Sequence, residues 1–267
     1  MRFLEPFRVA MRSLIPKSTY RRFSSITNHI TALASLGYPN YKQLYLAPQN
    51  ELAQIIIQNN TFHFRPGTPD TDAIIQNIVR HEWLQCPLKQ AKYILDGGAY
   101  IGDTTFAFLL TYPDAKVVCV EPNRATQTLL QRNLDLMAKD TILVRGGLAS
   151  ERKDVQFGGE YISASINAAG DHEGGLVTCF DICSIMLEHN IPFFDIVKLD
   201  IEGAEAEVLL TNNSWLRSTR RLLVEFHGHD IERACTTELF KHGFSHFQHR
   251  SVHYFDRQDR VTSGKPS

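Results

Sequence analysis

Polar side chains and glycines suited to ligand binding or proton transfer follow four apolar runs of this chain. In chain order they are Asp96, Gly98 and Gly102; Glu121; Lys198, Asp200 and Glu202; and Glu225, His227 and His229. Carboxylates and histidines act as acids, bases and ligands, while glycines let a ligand approach the backbone closely. The elements that carry these residues decide whether they form one site.

The apolar run that ends in Asp96 breaks at once into glycines, a pattern that predicts a buried strand, a tight turn and the start of a helix. The free N–H groups of such a helix can bind polar or anionic groups. A second apolar run, from Lys116, ends in Glu121, where nucleotide-binding folds present a carboxylate to ribose hydroxyls. The two strand ends therefore predict one nucleotide cofactor site.

Two cofactor classes fit this turn. Gly97, Ala99 and Gly102 form a degenerate dinucleotide fingerprint with an acid about 20 residues further on, which favours NAD. Asp96, Gly98 and Gly102 instead follow the acid-x-Gly-x-x-x-Gly spacing of S-adenosylmethionine enzymes, in which the carboxylate fixes the loop or the amino-acid end of the cofactor. A strand–turn–helix junction without a ligand is the structural alternative.

Composition limits the class of protein. A chain of 267 residues with 43% hydrophobic content can bury a full α/β core. The net charge of -1 gives no attraction to nucleic acid and favours a small-molecule or glycan acceptor. Five cysteines without a CxxC pair predict a reduced, cytoplasmic protein, and no apolar run reaches the roughly 18 residues of a membrane span.

The sequence divides into an N-terminal extension at residues 1–79, a ligand-binding domain at 80–260 and a tail at 261–267. Residues 1–30 form a basic arm interleaved with apolar side chains, which could contact a membrane surface weakly or lie on its own domain as a helix. A cluster of helix breakers at residues 35–40 predicts the end of that helical stretch.

Strands and helices then alternate. The predicted elements are strands near 52–58 and 61–64, a helix capped by Asp70 or Thr71, strands 93–96, 116–121 and 141–145, and helices 103–111 and 124–138. The alternation predicts an α/β fold with a parallel sheet and helices on both faces. The polar stretch at 161–175 is predicted to be a lid or acceptor-binding loop, or else a disordered insertion.

The stretch Phe194–Glu205 contains Lys198 followed by the acids Asp200 and Glu202, which a central strand tolerates only with partners. The period of two places Lys198, Asp200 and, if the strand persists, Glu202 on one face. This cluster is either functional, at the carboxyl edge where open sheets bind ligands, or a buried ion pair that closes the strand end.

The next apolar run, which begins at Arg221, places Glu225, His227 and His229 on one face by the same parity. A histidine at this edge can act as a general base near neutral pH. Glu225, His227 and Asp200 could alternatively bind a divalent metal, but two strand ends do not define ligand geometry and we expect no metal. The later histidines, His242, His246, His249 and His253, are predicted to lie at the surface.

The chain resembles the FkbM family of S-adenosylmethionine-dependent methyltransferases from about Arg65 to Asp256. The motifs that carry the resemblance are Phe64–Thr68, Leu95–Thr105, Val120–Asn123, Cys179–Asp181, Val197–Glu205 and Val224–His227. Each motif is weak alone, and the set in this order is specific.

The resemblance implies a Rossmann-like class I methyltransferase fold, with a mostly parallel seven-stranded sheet and an N-terminal helical and β extension. It implies S-adenosyl-L-methionine as the cofactor and methyl transfer, usually to a hydroxyl, on a glycan, lipid or natural-product acceptor. The cofactor positions would be Asp96, Gly98, Tyr100, Gly102, Glu121 and Asn123. Gly98 stands where many members have another small residue, and Tyr100 where asparagine is common.

The same resemblance matches Lys198, Asp200 and Glu202 to the family's Lys-x-Asp-x-Glu-Gly signature. We expect His227 or Asp200 to act as the base, with Lys198 orienting the carboxylates and Glu202 holding the acceptor. An NAD-dependent oxidoreductase and a cofactor-binding protein without catalysis remain the alternatives. The lysine-and-acid cluster favours methyl transfer, because an apolar nicotinamide pocket would not need it.

Overall fold

The computed structural model describes residues 17–156 and 176–257. Residue contacts divide the chain into two compact units, residues 1–80 and residues 81–267. The predicted lid at 161–175, the first part of the basic arm and the predicted tail lie outside the described residues. None of the described helices is long and apolar enough to cross a membrane.

The first unit contains a long helix and a small β-hairpin. Its elements are α1 (Lys17–Leu46), the antiparallel strands β1 (Ala53–Ile57) and β2 (Asn60–Phe64), and α2 (Asp70–Ala73), which continues as a π-helical segment over Ile74–Val79. The prediction that residues 35–40 end the N-terminal helical stretch is confirmed in part, because α1 consists of two helical segments that meet at a kink there. Gly37 leaves the helical conformation at φ 74 and ψ 168, and a second helical segment containing Pro39 follows directly.

The turn after β2 is closed by a buried carboxylate. Pro69 is the N-cap of α2, so the prediction that Asp70 or Thr71 caps this helix is wrong. The fully buried Asp70 instead accepts hydrogen bonds from the backbone nitrogen and Nε of Arg65, at 2.8 and 2.9 Å, and from its Nη2 at 2.8 Å. The acid that was expected to start the helix therefore holds Arg65 across the turn.

The described residues of the second unit form ten strands. They are β3 (Tyr93–Gly97), β4 (Lys116–Glu121), β5 (Thr141–Arg145), β6 (Gly147–Leu148), β7 (Lys153–Gln156), β8 (Leu176–Phe180), β9 (Phe194–Leu199), β10 (Thr219–Glu225), β11 (Phe244–His249) and β12 (Val252–Arg257). Seven of them form one sheet in the order β11-β12-β10-β9-β3-β4-β5. Within it β12 is antiparallel to both neighbours, while β10, β9, β3, β4 and β5 are parallel.

Helices alternate with these strands. They are α3 (Asp103–Thr111), α4 (Arg124–Met137), α5 (Ile182–Glu188), α6 (Glu205–Leu210) and α7 (His229–Lys241), with 3₁₀ turns at Glu82–Leu84 and Ser214–Ser218. The predicted α/β fold with a mostly parallel seven-stranded sheet is confirmed. The smaller sheet β6-β8-β7 was not predicted, because its strands are short and lie beside residues 157–175, which have no periodic pattern.

Central position in the sheet explains the composition of its strands. Every residue of β9 is buried, and β3 and β4 are buried except at their first residues. Strands covered on both sides need nearly continuous apolar runs, so the polar residues that remain in them require partners. Three of those residues, Asp96, Glu121 and Lys198, lie at or next to the carboxyl ends of the three strands, whereas Asp195 lies near the start of β9 and accepts from the backbone nitrogen of Lys92.

Candidate active site

The turn after β3 is fixed to the neighbouring strand. The backbone nitrogens of Gly98 and Ala99 both donate to the carbonyl oxygen of Val120, at 3.0 and 3.1 Å. The nitrogen of Tyr100 donates to the Glu121 carboxylate at 2.8 Å. Because β4 supplies these acceptors, the turn has one conformation before any ligand binds.

Glycine is required at position 98 for two reasons. Its φ is +74°, in the left-handed region, and a Cβ built there would lie 1.9 Å from the carbonyl oxygen of Asp200. Gly102, with φ +87°, is the N-cap of α3. The glycines therefore let the end of β9 approach the turn.

The fully buried ammonium of Lys198 lies at the centre of this edge. Its Nζ donates to the carbonyl oxygens of Gly98 at 2.7 Å and Gly97 at 3.3 Å, and lies 3.1 Å from Oδ1 of Asp96. Its fourth neighbour, Oδ2 of Asp200, is 3.8 Å away. Burial alone would lower the pKa of Lys198, but the charges of Asp96 and Asp200 raise it overall, so the ammonium stays charged.

The Asp96 carboxylate lies in the protein interior, where it contacts Lys198 and Thr105. Its side chain is fully buried, with one carboxylate oxygen on Lys198 and the other accepting from Oγ1 of Thr105 at 2.6 Å. Of the two roles expected for this carboxylate, these contacts support fixing the loop rather than binding the amino-acid end of a cofactor. The ring of Trp83 covers another side of the Lys198 ammonium, with its centroid 5.1 Å from Nζ.

Glu121 is the other acid of this edge. Its carboxylate accepts from the backbone nitrogens of Tyr100 and Asn123, both at 2.8 Å, and from Oγ1 of Thr126 at 3.1 Å. Burial raises the pKa of Glu121 to about 7 in spite of these donors and of the Lys198 charge. A ligand that offers further hydroxyl donors would stabilise the ionised form. The side chain of Asn123 caps α4 by accepting from Ala125 at 2.9 Å.

Next to this edge, His227 lies among three carboxylates. Its Nδ1 is 3.0 Å from Oε1 of Glu205, while its Nε2 is 3.4 Å from Oε2 of Glu202 and 4.0 Å from Oδ1 of Asp200. The Glu205 hydrogen bond raises the pKa of His227 to about 9, against its burial and with help from the charges of Glu205, Glu202 and Asp200. The imidazole therefore holds a proton near neutral pH unless a ligand replaces it.

Asp200, Glu202 and His227 lie together as the sequence pattern predicts, but strand parity explains this only in part. The strand does not persist to Glu202, because β9 ends at Leu199. Glu202 reaches the cluster through a left-handed backbone at φ 55, and Gly203 follows at φ 105. Glu205, the fully buried first residue of α6, received no role from the sequence, although an acid in the first turn of a helix was its visible signal.

Two expectations for histidines are wrong. His229 does not join His227, because β10 ends at Glu225 and His229 begins α7 with its side chain fully exposed. His253 is buried rather than at the surface, and its Nδ1 lies 3.0 Å from Nε2 of His246. Glu225 stays near the cluster, where burial and the Asp200 charge raise its pKa to about 7.

A family comparison agrees with these motifs. The model of the Methyltransferase FkbM domain matches residues 96–255, which includes the turn, both strand-end acids and the His227 cluster. The chain belongs to the FkbM methyltransferase family.

One curated relative, the hexuronic acid methyltransferase AglP of Haloferax volcanii, is 31% identical over 114 residues. The match covers 42% of this FkbM chain and 48% of the relative, so the chain spans about half of that protein's length.

Two solved structures are also similar. Methyltransferase FkbM from Methylobacillus flagellatus KT has 16% identity and a TM-score of 0.48, with 69% of this chain and 53% of that chain covered. A methyltransferase from Pyrococcus furiosus has 11% identity and a TM-score of 0.45, with coverages of 89% and 98%.

The requirement for glycine at position 98 predicts a large effect of one methyl group. In Gly98→Ala the new carbon meets the backbone oxygen of Asp200, which moves only if β9 and the turn separate. We expect the free energy of unfolding, measured by chemical denaturation, to fall by more than about 3 kcal/mol. Gly243→Ala is the matched control, because Gly243 has a similar φ of +80° with nothing near its Cβ position. It should lose only the left-handed backbone cost of about 1–2 kcal/mol, and equal losses would contradict the close approach.

Proposed function

We propose that this protein transfers a methyl group from S-adenosyl-L-methionine to a hydroxyl of a glycan that carries a hexuronic acid. The observation that carries the proposal is the FkbM domain match across the turn and both acid clusters. The acceptor class follows the name of the relative from Haloferax volcanii. Cofactor, methylated atom and acceptor are all part of the proposal.

The residues at the ends of β3 and β4 fit such a cofactor. Glu121 is a carboxylate whose pKa is raised by burial in spite of three hydrogen-bond donors, and the two ribose hydroxyls of the cofactor would add further donors to its ionised form. Gly98 and Gly102 keep side chains out of the turn, which Asp96 fixes from behind through Lys198. We assign further cofactor contacts to Tyr100 and Asn123, with the Asn123 side chain retaining its helix-capping bond. S-adenosylmethionine, when bound, supplies a methyl group activated by a sulfonium.

The residues at the ends of β9 and β10 would serve the acceptor. Asp200, Glu202 and His227 keep 29%, 27% and 26% of their side-chain surface exposed, so a second substrate can reach them. Asp200 takes the proton of the acceptor hydroxyl at neutral pH, or His227 takes it where the imidazole has first lost its own proton, and Glu202 holds the acceptor. Lys198 directs its donors to the protein itself and therefore acts as a positioning residue.

The raised pKa of Glu121 predicts pH-dependent cofactor binding. Ribose hydroxyls stabilise the ionised carboxylate, so binding lowers its pKa and releases a proton below about pH 7. Affinity for S-adenosylhomocysteine, measured by calorimetry, should weaken about tenfold from pH 8 to pH 6. Glu121→Gln should bind more weakly with a flat profile, because the amide does not titrate. Wild-type protein that shows the same flat profile, or that binds NAD instead, would contradict the assignment.

A second prediction separates chemistry from binding. Asp200→Asn and His227→Ala should lower the single-turnover rate of methyl transfer to a hexuronic-acid oligosaccharide by on the order of 100-fold. Their affinity for S-adenosylhomocysteine should change less than about tenfold, because both residues lie beyond the Glu121 contacts. His229→Ala is the control, since this exposed imidazole lies outside the cluster, and it should keep the wild-type rate. Full activity in both cluster variants would remove them from the mechanism.

A further inference from the structure

The Asp200, Glu202 and His227 side chains have the spacing of metal ligands. One oxygen or nitrogen from each lies within 4.8 Å of the others, the one group of this kind that the described residues contain. In an octahedral site with bonds of about 2.1 Å, adjacent ligand atoms stand about 3 Å apart and opposite ones about 4 Å. The separations of 3.4 and 4.0 Å around Nε2 of His227 fall within that range.

A buried carboxylate orients the imidazole as in metal centres. Oε1 of Glu205 lies 3.0 Å from Nδ1 of His227, so Nε2 points to the other two acids. Histidine ligands usually donate their other ring N–H to such a carboxylate, which fixes the tautomer that leaves the ligating nitrogen free. The same Oε1 accepts from the nitrogens of Ile201 and Gly203, at 3.3 and 3.2 Å. Glu205 thus holds both the histidine and the loop that carries Asp200 and Glu202.

The backbone and the charges of this loop favour a cation as well. Glu202 occupies the left-handed region, a conformation that costs about 1–2 kcal/mol for a residue with a Cβ and that aims its carboxylate at His227. Glu225 adds a further acid whose interaction with Asp200 is unfavourable. The nearest lysine, Lys198, is 3.8 Å from Asp200 and is shared with Asp96. A cation between the ligands would relieve this accumulation of negative charge.

We propose that Asp200, Glu202 and His227 bind a divalent cation of the Mg²⁺ or Mn²⁺ class, with Glu205 as the residue that positions the histidine. Two carboxylates and one imidazole leave coordination positions open on the exposed side of the cluster. The role of the acceptor at this cation rests on the proposed function. There, a hexuronic acid would fill the open coordination positions with a hydroxyl and its carboxylate. His227 is then a ligand and not the base, and of the two Asp200 oxygens only Oδ2, on the side of Lys198, stays outside the cation site and can take the proton.

The test is titration of the full chain, freed of metal by EDTA and dialysis, with Mn²⁺ followed by electron paramagnetic resonance. We expect one Mn²⁺ per chain, displaced by excess Mg²⁺. Asp200→Asn, Glu202→Gln and His227→Ala should each weaken Mn²⁺ binding at least tenfold, and Glu205→Gln by about tenfold through the histidine. His229→Ala is the matched control and should bind as the wild type does, because its imidazole is fully exposed outside the cluster.

Absence of Mn²⁺ binding to the wild-type protein would overturn the inference and leave the cluster as an imidazolium paired with carboxylates. Binding that survives all three ligand substitutions would overturn it too, because the cation would then lie elsewhere. The titration contains neither cofactor nor acceptor, so its failure contradicts the metal site alone. Failure of S-adenosylhomocysteine to bind would contradict the proposed function alone.

Discussion

The carboxyl edge of the sheet depends on the buried ion pair between Lys198 and Asp96. A buried charge is costly unless it is paired and hydrogen-bonded, and here Asp96 and the carbonyl oxygens of Gly97 and Gly98 satisfy it together. One side chain of β9 therefore fixes the turn that follows β3. Loss of either partner would leave an uncompensated charge in the interior, which typically costs about 3–5 kcal/mol. The turn keeps its shape because this pair is closed to solvent.

The Lys198 ammonium lies between two groups of residues, one buried and one partly exposed. On its buried side, Asp96 and Gly98 shape the turn. On its exposed side, Asp200 begins a cluster that keeps about a quarter of its side-chain surface open. Substitutions on the first side should act through folding and those on the second through chemistry. The spacing Lys-x-Asp-x-Glu thus joins a buried structural anchor to the exposed cluster that we propose acts on the acceptor.

Regular patterns were predictable from the sequence because they repeat. Apolar runs predicted β3 and β4 almost to the residue, and parity predicted the proximity of Lys198 and Asp200. Parity failed beyond the strand ends, where the backbone leaves the extended conformation. Glu202 reaches the cluster through a left-handed turn, and His229 leaves it because a helix has begun. Such local conformations depend on tertiary contacts that no period in the sequence records.

Side-chain roles were less predictable than positions. Glu205 lies within the signature, but its importance arises from full burial against a histidine 22 residues away. Asp70 was predicted to cap a helix, whereas its carboxylate in fact accepts a hydrogen bond from Arg65 across the turn. In both cases a long-range or cross-turn partner decides the role, and the residue type alone permits several.

A crystal structure of the complex with S-adenosylhomocysteine would locate the cofactor relative to both clusters. We expect the ribose hydroxyls to lie within hydrogen-bond distance of the Glu121 carboxylate, and the sulfur atom to face Asp200 and His227. The contacts of Lys198 with Asp96 and Gly98 should be unchanged, because the turn is already in place. A ligand bound away from the ends of β3 and β4, or a sulfur atom directed away from the His227 cluster, would contradict the account.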